Sequence, residues 1–474
     1  MKVSDVSLSD IAISLRDGNL SSQELWEKAL AGHNEFNTEL NAYKEWTPKL
    51  AKSASQSADA AFDAGYELGP LQGIPVSVKD IFGVSGLPTF AGSPMRLPKK
   101  WEREGPVIGA LKSQLAVMSG KTHCVEFCAG GIGDNIHWSA PRNPWDDKQH
   151  RGPGGSSSGA GVSIWEGSAY VAFGSDTMGS VRIPASMTGL VGLKVTYGRW
   201  SNEGIVPLRA EQDTPGFLVK SVEDAVYVFE TLDPQLNKQV KEPPKKIGDI
   251  DLGEVIFGVA DNCLWEGCAP GITKEVHQAI NELKKIGAKF VDVPSPQTAE
   301  LLSLLISGGL PNCELWEFLS RELPDWIEHA DPLLIGRLEN ARQISMVDYL
   351  AQENWLTELA KTIPSNFEDV DVTIAPTVPI TPPVIIDEVP ILEQEATSPL
   401  IAARNTCPVN FFGQCAITLP VGTDALNMPV GMQLTAQGGE EEKLLSVALA
   451  VEKILGKPQE RIGEPPLVSN RVAA

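Results

Sequence analysis

Three stretches of this sequence bring together residue types that can do chemistry: Gly154-Gly155-Ser156-Ser157-Ser158-Gly159, Asp176-Thr177-Met178-Gly179-Ser180, and Lys79 in GIPVSVKD. Three consecutive hydroxyls between glycines suit a phosphate cradle, a nucleophile turn or a plain linker, because glycine frees φ and lets other atoms approach the main chain. A phosphate loop would end in Gly-Lys-Ser/Thr, whereas Ala160 and Gly161 follow here, so that reading fails. A nucleophile elbow, Gly-x-Ser-x-Gly, is spelled by Gly155 to Gly159 with Ser157 at its centre. It needs a strand directly before it, and DDKQHRGP is not one.

The second stretch has a different context. The apolar run AYVAFG ends at Ser175-Asp176, and Thr177 to Ser180 lead into a helical pattern, a strand, turn and helix with Ser180 at the helix start. Backbone N–H groups of Thr177, Met178, Gly179 and Ser180 would there face a developing oxyanion, the feature that acyl transfer needs most. The plainer alternative is an ordinary N-cap serine. A serine hydroxyl is a weak nucleophile until a base takes its proton, and none of the six histidines lies near Ser180 in sequence. Lys79, at the end of the alternating run PVSV, is the candidate base. A buried, uncharged lysine does that work, whereas an exposed one merely ends a strand.

The elements that must hold these residues follow from pattern. SSQELWEKALAGHNEF carries Trp26, Ala29 and Leu30 on one stripe behind a Ser21 cap with Glu24 three residues on, so residues 1–65 read as an N-terminal helical layer. Short apolar runs then alternate with helices: GIPVSVKD, LAVMSGKT, AYVAFGSD, VIFGVAD, AKFVDV, VDVTIAP, CAITLPVG and PVGMQLTA. This is an α/β chain with a large mixed β-sheet covered by helices on both faces. We expect one domain over 1–474, with a core at 66–230 and a helical insert, a cap over the substrate, at 300–362. APTVPITPPVIIDEVP reads as a surface crossover, since its prolines fit neither a helix nor a central strand.

Bulk properties narrow the function. A formal net charge of -22 over 474 residues would repel a phosphate backbone or an anionic bilayer, which argues against nucleic-acid and membrane partners. The N-terminus lacks a signal-peptide core and no apolar run reaches spanning length, so the expectation is a cytosolic protein. Seven cysteines make no disulfide framework. His123, Cys124, Glu126 and Cys128 cluster, but no second ligand pair follows at matched spacing for zinc.

Taken in order, GPLQGIPVSVKDIF, GGSSSG and GSDTMGSVRIPAS resemble the amidase signature family, with Ser156 and Ser180 24 positions apart as in that family. The resemblance extends through GKTHCVEFCAGG, RNPWD, GLVGLKVTYGR, DTPGFLVKSVEDA and NFFGQCAITLPVG. It implies a Ser-cis-Ser-Lys triad in which Ser180 attacks the carbonyl carbon, Ser156 relays the proton and Lys79 accepts it, with Thr177 to Ser180 as the oxyanion turn. Ser157, Asp176 and Arg182 match supporting positions. This chain departs from the family at Met178, where glycine is usual, at Ser158, also commonly glycine, and at Trp165, commonly small; Met178 must therefore avoid positive φ.

The resemblance implies hydrolysis of a carbon–nitrogen bond in a small amide or carbamate, or of an ester, and we expect no cofactor and no metal, with a homodimer left open. Trp138, Trp165, Trp316, Phe318, Trp326 and Trp355 suggest apolar walls and a neutral amide, anilide or carbamate, though core packing would use the same residues. Glu317, Arg321, Arg337 and Arg342 form no evident clamp for an α-amino acid. One alternative is the ammonia-releasing glutaminase component of an amidotransferase built from several different chains. Another is a non-catalytic scaffold, against which the retention of Lys79, Ser156 and Ser180 argues.

Overall fold

The computed structural model describes residues 6–237, 246–260, 262–306, 309–386 and 399–472. Eleven strands form one sheet: β1 (Tyr43–Trp46), β2 (Pro75–Lys79), β3 (Val117–Thr122), β4 (Val171–Asp176), β5 (Val191–Lys194), β6 (Thr214–Val219), β7 (Ile256–Val259), β8 (Lys289–Asp292), β9 (Val372–Pro376), β10 (Cys415–Thr423) and β11 (Pro429–Ala436). Their order is β1-β3-β2-β4-β6-β5-β10-β11-β9-β7-β8. The sheet is mixed. β2 runs parallel to β3 and β4, β7 runs parallel to β8 and β9, and antiparallel pairs join these two groups.

Every residue of β2, β3, β4, β5 and β6 is buried, as strands covered on both faces must be. The helix Ser22–Leu40 supplies part of the cover: Ser21 and Glu24 complete a capping box, and Leu25, Trp26, Ala29, Phe36 and Leu40 turn inward. The helix Ser158–Trp165 lies against β2, where the Ser77 and Ser163 hydroxyls meet at 2.9 Å. This contact holds the serine loop beside the end of β2.

The eight expected strands form. β1, β5 and β6 were not expected, for physical reasons. YKEW carries no apolar alternation, VGLK is short, and TPGFLV opens with Pro and Gly, which normally demote a strand. Pro215 nonetheless stands inside β6, opposite Ser175. Between β8 and β9 the chain is helical, with helices at Pro296–Ile306, Leu310–Glu322, Pro324–Ile327, Pro332–Ala341 and Met346–Ala360. Of the proline-rich stretch, residues 377–386 carry no helix or strand beyond a bridge of Val384 to Arg151, and 387–390 lie outside the described residues. Among the described residues, no helix is long and apolar enough to cross a membrane.

Candidate active site

β2 and β4 are adjacent and parallel, with Val78 opposite Phe173, so their carboxyl ends bring Lys79 beside the turn that follows β4. That edge of a parallel sheet is where ligands bind in α/β folds. Lys79 Nζ donates to Ser156 Oγ at 2.7 Å and to Ser175 Oγ at 3.1 Å, and Lys79 and Ser156 are both 0 % exposed. Among the described residues its partners are hydroxyls and no carboxylate. Asp80, next in the chain, is engaged by Lys121 at 2.8 Å.

The serine loop is pinned through its backbone. Gly154 and Gly155 N–H donate to Ile132 and Gly131 carbonyls, and the Ser156 carbonyl accepts from Val125 N–H at 3.0 Å. The Gly155–Ser156 peptide is cis. Ser157 N–H donates to the Ser180 carbonyl at 3.3 Å, which ties this loop to the turn carrying Ser180. Lys79 and Ser156, far apart in sequence, thus touch at a buried corner, and the Ser157 N–H joins their loop to the backbone of Ser180. Ser158 is buried with no hydrogen-bond partner for its hydroxyl among the described residues.

Asp176 organises the turn. Its Oδ1 accepts from Gly179 N–H at 2.8 Å and its Oδ2 from Val181 N–H at 3.2 Å, while Arg182 donates Nε and Nη2 to its two oxygens at 3.0 and 2.9 Å. Asn410 donates to Asp176 Oδ1 at 2.9 Å, and Arg182 reaches on to Gln433 at 2.6 Å. Burial alone would push the Asp176 carboxyl up. The Arg182 guanidinium outweighs it, with Lys194 and Asn410 adding to the effect, and holds the group well below the usual carboxylate range.

Two expectations change here. The helix begins at Arg182 and runs only to Met187, so Ser180 sits in the turn before it and not at its first residue. A six-residue helix adds little dipole, and its first N–H groups are taken by Asp176. The Gly179 N–H is also spent on Asp176, which leaves Thr177, Met178 and Ser180 as the candidate oxyanion donors. The left-handed backbone falls on Gly179, at φ +125°, and not on Met178.

A family model described as Amidase matches residues 24–445. The chain belongs to the amidase family. It is an enzyme, a hydrolase acting on carbon–nitrogen bonds. It is 43% identical over 98% of its length to the whole of the 2-amino-5-chloromuconic acid deaminase of Comamonas testosteroni. It is 31% identical, over 91% of its own length and 93% of the relative's, to a glutamyl-tRNA(Gln) amidotransferase subunit of Gloeobacter violaceus. A crystal structure of an amidase superposes with a TM-score of 0.83 at 27% identity, covering 95% of this chain and all of the other.

Within this amidase fold the aromatic residues expected to form a wall take several different places. Trp165 is buried in the core, its Nε1 bonded to the Thr188 carbonyl at 2.6 Å, and Phe318 packs edge-on against Trp101. Trp138 and Trp326 bond the Ser93 and Met95 carbonyls. Trp355 joins Tyr349, Phe411 and Met178 in one apolar cluster, and Trp316, under the Arg342 guanidinium, lines a cleft of about 840 Å³ together with Phe318 and Tyr349. Glu317 and Arg321 pair with each other on an exposed helix face, and Arg337 donates to the Ala129 carbonyl. Of the cysteine-rich cluster, His123 bonds Asn41 and Glu126 accepts from Asp331 N–H. Among the described residues no His, Cys, Asp and Glu group is gathered for a metal.

Sequence reasoning missed Ser175, Asp213, Thr406, Asn410 and Gln433. Ser175, Asp213, Asn410 and Gln433 stand inside stretches already singled out, GSDTMGSVRIPAS, DTPGFLVKSVEDA, NFFGQCAITLPVG and PVGMQLTA, but only the sheet order reveals which of them approach the site.

Proposed function

We propose that the protein hydrolyses a carbon–nitrogen bond of a small molecule through a covalent intermediate on Ser180. The observation that carries this reading is the Lys79–Ser156 contact at 2.7 Å, buried and tied through Ser157 to the Ser180 turn. Ser180 Oγ attacks the carbonyl carbon; its proton passes to Ser156 as the Ser156 proton passes to neutral Lys79. The oxyanion is met by N–H groups of the turn that Asp176 braces. Collapse expels the amine, which takes the proton back from Lys79 through Ser156, and water then reverses the same transfers to free Ser180. Ser157 and Arg182 hold the two loops in place, and no step calls on a metal or a nucleotide. The helices from 296 to 360 cap the substrate.

A second reading concerns the substrate. The full-length 43% identity to a 2-amino-5-chloromuconic acid deaminase favours an amino-substituted unsaturated dicarboxylic acid over the neutral apolar amide expected from the tryptophans, of which Trp165 is fixed in the core. On that substrate Ser180 Oγ adds to C2 of the imine tautomer, ammonia leaves from the adduct, and water takes its place to release the keto acid and free Ser180. Ammonia release from 2-amino-5-chloromuconate, an aryl amide and glutamine, each against Ser180→Ala, tests both readings. Activity surviving Ser180→Ala would overturn the mechanism. Preference for the aryl amide would restore the apolar substrate, and preference for glutamine would favour the amidotransferase alternative.

A further inference from the structure

Asp213 is a buried carboxylate to which this chemistry gives no task. Asp176 and Thr214 form the last residue pair between β4 and β6, so Asp213 stands just beyond the ladder, across from Thr177. Its Oδ1 accepts from the Thr177 hydroxyl at 2.5 Å; its Oδ2 accepts from the backbone N–H groups of Leu208 at 2.9 Å and Arg209 at 3.2 Å. The turn it grips is itself anchored, because the Arg209 side chain reaches Glu353 at 2.7 Å and Glu314 at 3.4 Å on two helices of the 296–360 segment. One carboxylate therefore ties the first residue of the oxyanion turn to a fixed point. Three donors converge on it, and only the ionised form accepts from all of them; when the carboxyl is protonated, the Thr177 hydroxyl must turn round to accept, and its charge-assisted bond becomes a weaker neutral one.

We propose that Asp213 is a positioning residue whose ionised carboxylate holds Thr177, and through it the backbone donors of the turn, where the oxyanion forms. Uptake of a proton slackens the turn. The proposal rests on the Ser180 reading. Burial pushes the Asp213 carboxyl up to about 6, against the hydrogen bonds from Thr177, Leu208 and Arg209 and the nearby Lys79 charge. The charged and titratable groups around it are Lys79 at the end of β2, Tyr197 beyond β5, and Arg209 and Glu211 in its own turn. As the pH falls through about 6, the charge on the acceptor is lost and the grip on Thr177 weakens.

The test is the rate at which a fluorophosphonate labels Ser180, followed by mass spectrometry across pH. The Oγ–P bond forms as P–F breaks, fluoride leaves, the serine proton passes to Ser156, and charge gathers on the phosphoryl oxygen, so no natural substrate is required. In the wild type the logarithm of the rate should steepen by one extra unit of slope below about pH 6. Asp213→Asn should lose that steepening and run at least about 10-fold slower above it. Thr177→Val, which removes the hydroxyl through which the carboxylate grips the turn, should lose the steepening as Asp213→Asn does. Thr177→Ser, which keeps the hydroxyl, should match the wild type. Should Asp213→Asn fail to fold, the two Thr177 variants carry the test. Ser180 labelled in the wild type, with Asp213→Asn keeping the wild-type profile or with Thr177→Val and Thr177→Ser alike, overturns the proposal alone. A wild type not labelled at Ser180 overturns the Ser180 reading and the proposal together.

Discussion

Lys79 Nζ stands 2.7 Å from Ser156 Oγ, and neither side chain is open to solvent. The acid next to Lys79 in sequence is committed elsewhere: Asp80 takes Lys121 at 2.8 Å and the Phe90 N–H at 3.0 Å. Lysine is thereby left among hydroxyls, Ser156 on one side and Ser175 on the other. A carboxylate in their place would hold the ammonium charged and useless as a base. The arrangement suits a group that must give up and regain a proton within one turnover.

Lys79→Ala should therefore lower kcat/KM for an amide by about 10²–10⁴-fold, the usual contribution of a general base. Ester hydrolysis should fall less, because an alkoxide leaves with less need of a returned proton. The double variant with Ser156→Ala should be no worse than the more damaging single one, since residues that act as a unit are strongly non-additive. Steady-state kinetics on a matched amide and ester check this. Losses that multiply in the double variant would show that the two residues act separately.

Gly179→Ala should damage the turn directly. At φ +125° a side chain is strained by about 1–2 kcal/mol, and an added Cβ would collide with the Thr406 hydroxyl. That hydroxyl donates to the Met178 carbonyl at 2.7 Å, so the collision pulls on the same turn. We expect lower stability in urea and a loss of kcat larger than any rise in KM. Wild-type kcat in a folded Gly179→Ala protein would show that the turn tolerates the shift.

How much of this was legible in the sequence depends on what each residue signals locally. Lys79, Ser156 and Ser180 stand in motifs, and the strands beneath them are short, largely apolar runs whose reading needs no tertiary information. β6 was hidden because Pro215 and Gly216 read as a turn; two flanking strands, β4 and β5, override that preference. Trp165 looked like a pocket wall because a large aromatic beside a serine loop suggests one, yet its indole N–H is fixed on Thr188 in the core. The Asn410 and Gln433 amides that complete the Arg182 network stand in stretches already singled out, NFFGQCAITLPVG and PVGMQLTA, but their role carries no local signal, since polar residues with buried partners read as surface until the partners are known.

Asp176→Asn should cost stability in a pH-dependent way. The carboxylate and the Arg182 guanidinium are both fully buried, and removing one charge of such a pair leaves the other uncompensated, a loss of about 3–5 kcal/mol. The sign with pH follows from the direction of the shift. A carboxyl held below its unfolded value binds fewer protons folded than unfolded. Its stabilisation is complete above the unfolded pKa of about 3.9 and is lost as the pH falls through that value toward the folded one. The gap in unfolding free energy between wild type and Asp176→Asn should thus be widest at neutral pH and narrow in acid below about pH 4. Urea unfolding at several pH values measures it. A gap that stays constant into acid would mean that Asp176 stabilises the fold as a neutral acceptor, and the charge pairing with Arg182 would then have to be abandoned as the brace of the serine turn.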